Sequence, residues 1–338
     1  QAWQLLKPPT MYLFGDVDDR PYEVDFPGFS RAFPHAYGNA GDKYLTTRLT
    51  LSPAGDELAL DFAKALLDNE QLGRDAVPDY LAVSFSSTDY IGHLFGASSL
   101  ESEDNLGRLD RTLAELFAYV DKQVGLANTL IVLSADHGQP EVPGHLHELG
   151  IEDAQYFDVN ALDRAPAIAA LKQQFGVGEE LIQAYFQPYV YLNRTLMRDK
   201  DLDPAAVEEA VAAELAKFPG VAAAVSSTAL RGGNLPDTQL TRAILRNFHP
   251  KRSGDIYLVF EPNVFINDFD GMVVASTHGS PWQYDTFVPV YFAAAGLPSK
   301  RVHRAITPYD IAPTLAAYLG VKPPSASIGN PLPEVLGD

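Results

Sequence analysis

Apolar residues follow two rhythms along this chain. Short unbroken runs rich in Val, Leu, Ile and aromatics occupy 80–85, 129–134, 255–260, 272–276 and 287–292, the length and composition of buried strands. Pro289 inside the last run suits a sheet edge or the start of pairing, because proline has no N–H to give to a ladder. Between the runs the period lengthens. Ser52-Pro53 is a helix start, Leu58, Phe62, Ala65 and Leu66 recur at helical spacing, and Gly73 fits the stop. Leu106, Leu109, Leu113, Leu116, Val120 and Val124 predict a long amphipathic helix. Helix, strand, loop, helix, strand is the order of an α/β protein, a mainly parallel central sheet flanked by helices.

The middle of the chain changes character. Asp203-Pro204 caps an Ala/Glu-rich helix, 220–225 reads as a strand, Gly232-Gly233 as a turn, and 238–248 as a helix. This predicts part of the α/β core over 1–150, an inserted cap-like α+β subdomain over 151–250, and a return to the core over 251–338. A helix over 309–320 with Gly320 as its stop closes the core. Residues 11–41, dense in Pro, Gly, Asp and aromatics, read as an ordered loop, with Asp16, Asp18 and Asp19 serving turns and solvation.

Composition narrows the chemistry. A net charge of −19 argues against a nucleic-acid duplex as partner, since such binders replace counterions with basic patches. With no cysteine, thiolate metal sites and disulfides are excluded, so any zinc must sit on histidine and carboxylate. No run has the length of a membrane-spanning helix, and Gln1-Ala2-Trp3-Gln4 lacks the layout of a signal peptide.

Three apolar runs end in chemistry-bearing residues. The first leads to Asp89 and His93 with Gly92 between them, the second to Asp136-His137-Gly138, the third to Thr277-His278-Gly279. Taken singly, each has a bland reading as a cap or loop acid beside a surface histidine. Taken together, they deliver two Asp and three His to the edge of a sheet where α/β proteins place their sites, a set suited to two zinc ions. Such a pair can clamp a phosphoryl group and acidify a water. His145 and His147 read as rim or structural residues.

The motifs Ser84-Phe85-Ser86-Ser87-Thr88-Asp89-Tyr90-Ile91-Gly92-His93-Leu94-Phe95-Gly96, Ala135-Asp136-His137-Gly138 and Thr277-His278-Gly279-Ser280 resemble those of the alkaline phosphatase superfamily. The likeness is to bacterial phosphate-irrepressible alkaline phosphatases and the related type I phosphodiesterases and nucleotide pyrophosphatases. Tyr284-Asp285-Thr286 with Val288-Pro289, and Arg252-Ser253-Gly254-Asp255, fit that branch. The resemblance implies an alkaline-phosphatase-like core, with Asp89, His93 and His278 on one zinc and Asp136 and His137 on a second, incomplete in this chain.

It further implies a small-molecule phosphate ester as substrate, no membrane partner, and a periplasmic or secreted location. In that family a Thr or Ser nucleophile, a further Asp ligand and the phosphate-holding side chains lie on an N-terminal portion. Thr10, Ser30, Thr46 and Thr47 stand in loop context here, and Thr88 belongs to the strand-end motif itself. These residues therefore read as the C-terminal part of a longer enzyme, poorly active alone. Three activities are compatible: phosphate monoester hydrolysis; phosphodiester, nucleotide pyrophosphate or phosphonate hydrolysis at the same metals; or an inert metal-binding module.

Overall fold

The computed structural model describes residues 1–338 except Asn234, Asp270 and Asp338. Its core half is built on two helices. Pro53–Asn69 lies against Leu100–Gln123, burying Leu60, Ala63 and Leu116 between them. The stripe expected to face inward is wrong by part of a turn: Leu58 and Phe62 are 56% and 67% exposed. The helix carries two apolar stripes, and the partner helix selects Leu60, Ala63 and Leu67.

The stretch expected as a strand over 80–85 has no ladder partner among the described residues. Its side chains still alternate. Val83 and Phe85 pack under the two helices, while Tyr80, Ala82 and Ser84 point outward. Period-two patterning thus gives the alternation of burial, but a strand needs a neighbour to bond.

The run at 129–134 does form a strand, Ile131–Ser134, paired antiparallel with Val290–Ala293 so that Ser134 opposes Val290. The second of these begins one residue after Pro289, where pairing can start. Parallel pairing occurs between Gln155–Tyr156 and Val264–Phe265.

Residues 182–260 form a four-stranded antiparallel sheet in the spatial order Ile182–Phe186, Tyr189–Leu192, Ile256–Phe260, Val221–Ser226. Its fully buried strand Ile256–Phe260 lies past the boundary expected at 250 yet pairs inside this layer. The helix Pro204–Leu215 covers one face with Val207, Val211 and Leu215, capped by the Asp203 side chain. The run at 272–276 contributes only the two-residue strand Met272–Val273, hairpinned to Asp268–Phe269.

The N-terminal loop is held down as its aromatics suggest. Trp3 and Phe29 pack with Ile91, Leu94 and Phe95. Buried Asp104 accepts from Trp3 Nε1 (2.7 Å), the Leu6 N–H (2.7 Å), Tyr12 Oη (2.5 Å) and Arg108 Nε (2.8 Å). Asp16 and Asp19 pair with Arg20 and Arg31, and Asp18 accepts from the Phe33 N–H. No helix among the described residues is long and apolar enough to cross a membrane.

Candidate metal centre

Asp89 and His93 sit on a helix, Ser87–Phe95, and not on the loop expected after 80–85. The helix starts where the Ser87 N–H reaches Asp56 Oδ1 (3.0 Å) and stops at Gly96, whose φ of 90° only glycine adopts freely. Four residues apart, the two side chains share one helix face. Between them Gly92 leaves room for Gln139, whose Oε1 would lie 1.9 Å from a Cβ at that position. That close approach lets the loop after Asp136-His137 settle on the ligand helix.

The third segment is tied to the same helix. The His93 carbonyl accepts from the Ala275 N–H (2.7 Å), and His93 Nδ1 meets the Ser276 carbonyl at 2.7 Å. Ser276 Oγ donates to the Pro140 carbonyl (2.8 Å), which links the second and third loops.

The result is a cluster around one carboxylate oxygen. Asp89 Oδ1 lies 3.3 Å from His278 Nε2, 3.4 Å from His93 Nε2 and 3.8 Å from His137 Nε2. The rings of His137 and His278 stack with centroids 3.4 Å apart. Oδ1 is buried and has no hydrogen-bond partner. Burial alone would raise the Asp89 carboxyl, but the adjoining imidazoles of His278 and His93 outweigh it and hold it well below the usual carboxylate range. Burial would likewise lower His93, yet Asp89 and the Ser276 carbonyl raise it.

These residues fit a divalent metal. Ligand atoms of Asp89, His93 and His278 all lie within 4.8 Å of one another. Zinc bonds of about 2.0–2.1 Å in tetrahedral array separate neighbouring ligand atoms by roughly 3.3 Å, the spacing that Asp89 Oδ1 keeps to two imidazole nitrogens. The tautomers agree. A carbonyl can only accept, so Nδ1 of His93, and of His137 facing the Gly138 carbonyl at 2.9 Å, carries the proton and leaves Nε2 its lone pair.

Of the five residues singled out in the sequence, four converge at Asp89 Oδ1. Asp136 stands outside. Its side chain is 88% exposed, with Oδ1 accepting from the His137 N–H (3.1 Å) and Oδ2 3.6 Å from His137 Nε2. His145 and His147 lie away on the short helix Pro143–Glu148, where His147 Nε2 meets the Ala154 carbonyl (2.7 Å). Gln139, Ser276, Gln187 and the role of Asp285 were not legible in the sequence, because these residues carry no metal-ligand signal of their own and matter by what they bond.

The chain is similar to known proteins over nearly its whole length. The family model for type I phosphodiesterase / nucleotide pyrophosphatase matches residues 17–281. Across 99% of its length the chain is 35% identical to a Myroides odoratus protein named a calcium-transporting ATPase. It is 30% identical to alkaline phosphatase PhoV of Synechococcus elongatus and 32% to alkaline phosphatase PafA of Elizabethkingia meningoseptica, again over 99% of the chain. It spans 61%, 59% and 60% of these relatives' own lengths. The crystal structure of wild-type PafA superposes with a TM-score of 0.86 at 30% identity, covering 100% of this chain and 63% of that one. The chain therefore has an alkaline phosphatase fold and belongs to the type I phosphodiesterase / nucleotide pyrophosphatase family of the alkaline phosphatase superfamily.

Proposed function

We propose that this protein hydrolyses phosphate monoesters with zinc, Asp89, His93 and His278 holding one ion and Asp136 and His137 contributing to a second. The observation that carries the reading is Asp89 Oδ1, buried and unbonded, at 3.3 and 3.4 Å from two imidazole nitrogens. When bound, two such ions supply positive charge for the phosphoryl oxygens and a water acidified to a pKa of about 7. This chain's own residues prepare the site. The Ser276 and Gly138 carbonyls fix the protons of His93 and His137 on Nδ1, and the helix Ser87–Phe95 fixes Asp89 against both. Exposed Asp136 can turn without disturbing a packed contact.

Of the hydroxyls near the ligands, Thr88 Oγ1 accepts from Asn105 Nδ2 (2.9 Å) and Ser276 Oγ donates to the Pro140 carbonyl. Following the family resemblance, the proposal places the nucleophile, and the remaining ligand of the second ion, outside these 338 residues. Monoesters are favoured because two of the relatives are named alkaline phosphatases. A diester or nucleotide pyrophosphate is the second reading, favoured by the match of that family's model over 17–281.

The test compares these residues alone with the full-length gene product, with zinc, on an aryl phosphate monoester, a diaryl diester and ATP. The full-length protein is expected to turn over the monoester fastest and to lose that activity in His278→Ala. The residues alone should retain only residual hydrolysis, since removal of a nucleophile elsewhere costs about six orders of magnitude in kcat. Faster diester turnover would establish the second reading. Bound zinc with no turnover of any substrate would leave a metal-binding module.

A further inference from the structure

Two residues outside the ligand set bond directly to the loops that carry it. Asp285, 4% exposed on the short helix Gln283–Thr286, has one polar group on each of two loops. Its main-chain carbonyl accepts from the Gly138 N–H (2.8 Å), immediately after Asp136-His137. Its side-chain Oδ2 accepts from the Ser280 N–H (2.7 Å), two residues after His278. Gly138 is pressed so close that a Cβ there would lie 2.0 Å from the Tyr284 carbonyl oxygen. The helix is itself anchored, because Trp282 Nε1 donates to the Phe260 carbonyl (3.0 Å) of the inserted sheet.

Gln187 approaches from the other side. It sits in the turn between Ile182–Phe186 and Tyr189–Leu192, and its Nε2 donates to the main-chain carbonyl of His278 itself (2.7 Å). Gly279, at a φ of 107°, makes room for it, since a Cβ would meet that Nε2 at 2.8 Å.

We propose that Asp285 and Gln187 are positioning residues: together they clamp the His278 loop, and Asp285 sets its distance from the His137 loop. The clamp explains how two loops from separate parts of the chain hold their imidazoles stacked at 3.4 Å. It also gives the inserted sheet a function at the metal centre, because the turn bearing Gln187 belongs to that sheet. The role is one of hydrogen-bond acceptance by Asp285 and donation by Gln187.

The proposal rests on the zinc reading, and its experiment separates the two. Zinc affinity is measured by competition with a chromophoric chelator for the wild type, Asp285→Ala, Asp285→Asn and Gln187→Ala. The imidazole nitrogen signals of His137 and His278 are recorded by NMR in the metal-free proteins. Asp285→Ala and Gln187→Ala should each lose about 10–100-fold in affinity, as supporting partners of metal ligands do, and should shift the His278 signal before any metal is added. Asp285→Asn retains an oxygen for the Ser280 N–H and should stay within a few-fold of wild type.

Wild-type affinity and unchanged histidine signals in both Asp285→Ala and Gln187→Ala would overturn the clamp, even if Asp285→Ala melts lower. An Asp285→Asn variant as weak as Asp285→Ala would show that charge matters and sink acceptance as the mechanism. Should Asp285→Ala fail to fold, Gln187→Ala, on a half-buried turn, decides the question by itself. A wild type that binds no zinc would instead refute the zinc reading.

Discussion

His93 and Ser276 fix each other's segments from both sides of one residue. The His93 ring meets the Ser276 carbonyl through Nδ1 at 2.7 Å, and the His93 carbonyl accepts the Ala275 N–H at 2.7 Å. A helix and a segment more than 180 residues later in the chain are thereby locked in register, with the Nε2 lone pair facing Asp89. Locking of this kind spares the site the cost of ordering its ligands when a cation arrives.

The first prediction follows from which ligands are so locked. One zinc per chain should bind tightly to these residues, and Asp89→Asn or His93→Ala should weaken it by more than 10–100-fold, the loss typical of supporting partners alone. Asp136→Asn should leave that ion in place, because Asp136 is exposed and apart from Asp89 Oδ1. Metal analysis after gel filtration, with chelator competition, measures all three. Loss of the tight ion in Asp136→Asn would contradict the assignment.

A second prediction concerns pH. Burial, with Glu101 adding repulsion, pushes the Glu23 carboxyl up to about 9. An acid whose folded pKa is raised favours the native state fully below its unfolded pKa of about 4.3. That advantage shrinks as pH climbs and is gone above about 9, because the unfolded chain ionises first. Glu23→Gln, which keeps an acceptor for the Arg20 N–H, should therefore gain in melting temperature relative to wild type between pH 5 and 9. A gap between the two proteins that does not change with pH would rule this out.

Gly92 provides a third. Gly92→Ala should cost about 1–3 kcal/mol by overpacking, because its Cβ collides with the Gln139 side chain at 1.9 Å. The far end of a flexible side chain can be removed, so Gln139→Ala should recover most of the loss in the double variant. Thermal or urea unfolding of the two singles and the double closes the cycle. Strict additivity would mean that Gln139 is not what Gly92 makes room for.

What is local could be read from the residues alone. Helix boundaries at Pro53, Asp203-Pro204 and Gly320 follow from caps, prolines and glycines acting within a turn or two, and the structure has helices Pro53–Asn69, Pro204–Leu215 and Ile311–Tyr318 there. The candidate ligand residues were legible because each follows an apolar run and stands close to a glycine, a pattern that survives without knowing the neighbours. Partnership was not legible. Val83 and Phe85 alternate as a strand does, but whether a neighbouring strand bonds the stretch depends on residues far away in sequence. Leu58 and Phe62 sit on one of two apolar stripes, and the packing of Leu100–Gln123 buries the other, with Leu60 and Ala63. Asp285 and Gln187 look like ordinary turn residues until the fold sets one 2.7 Å from the Ser280 amide and the other 2.7 Å from the His278 carbonyl. Periodicity records which residues seek burial, whereas pairing and clamping are decided by the summed packing of segments that meet only in the folded state.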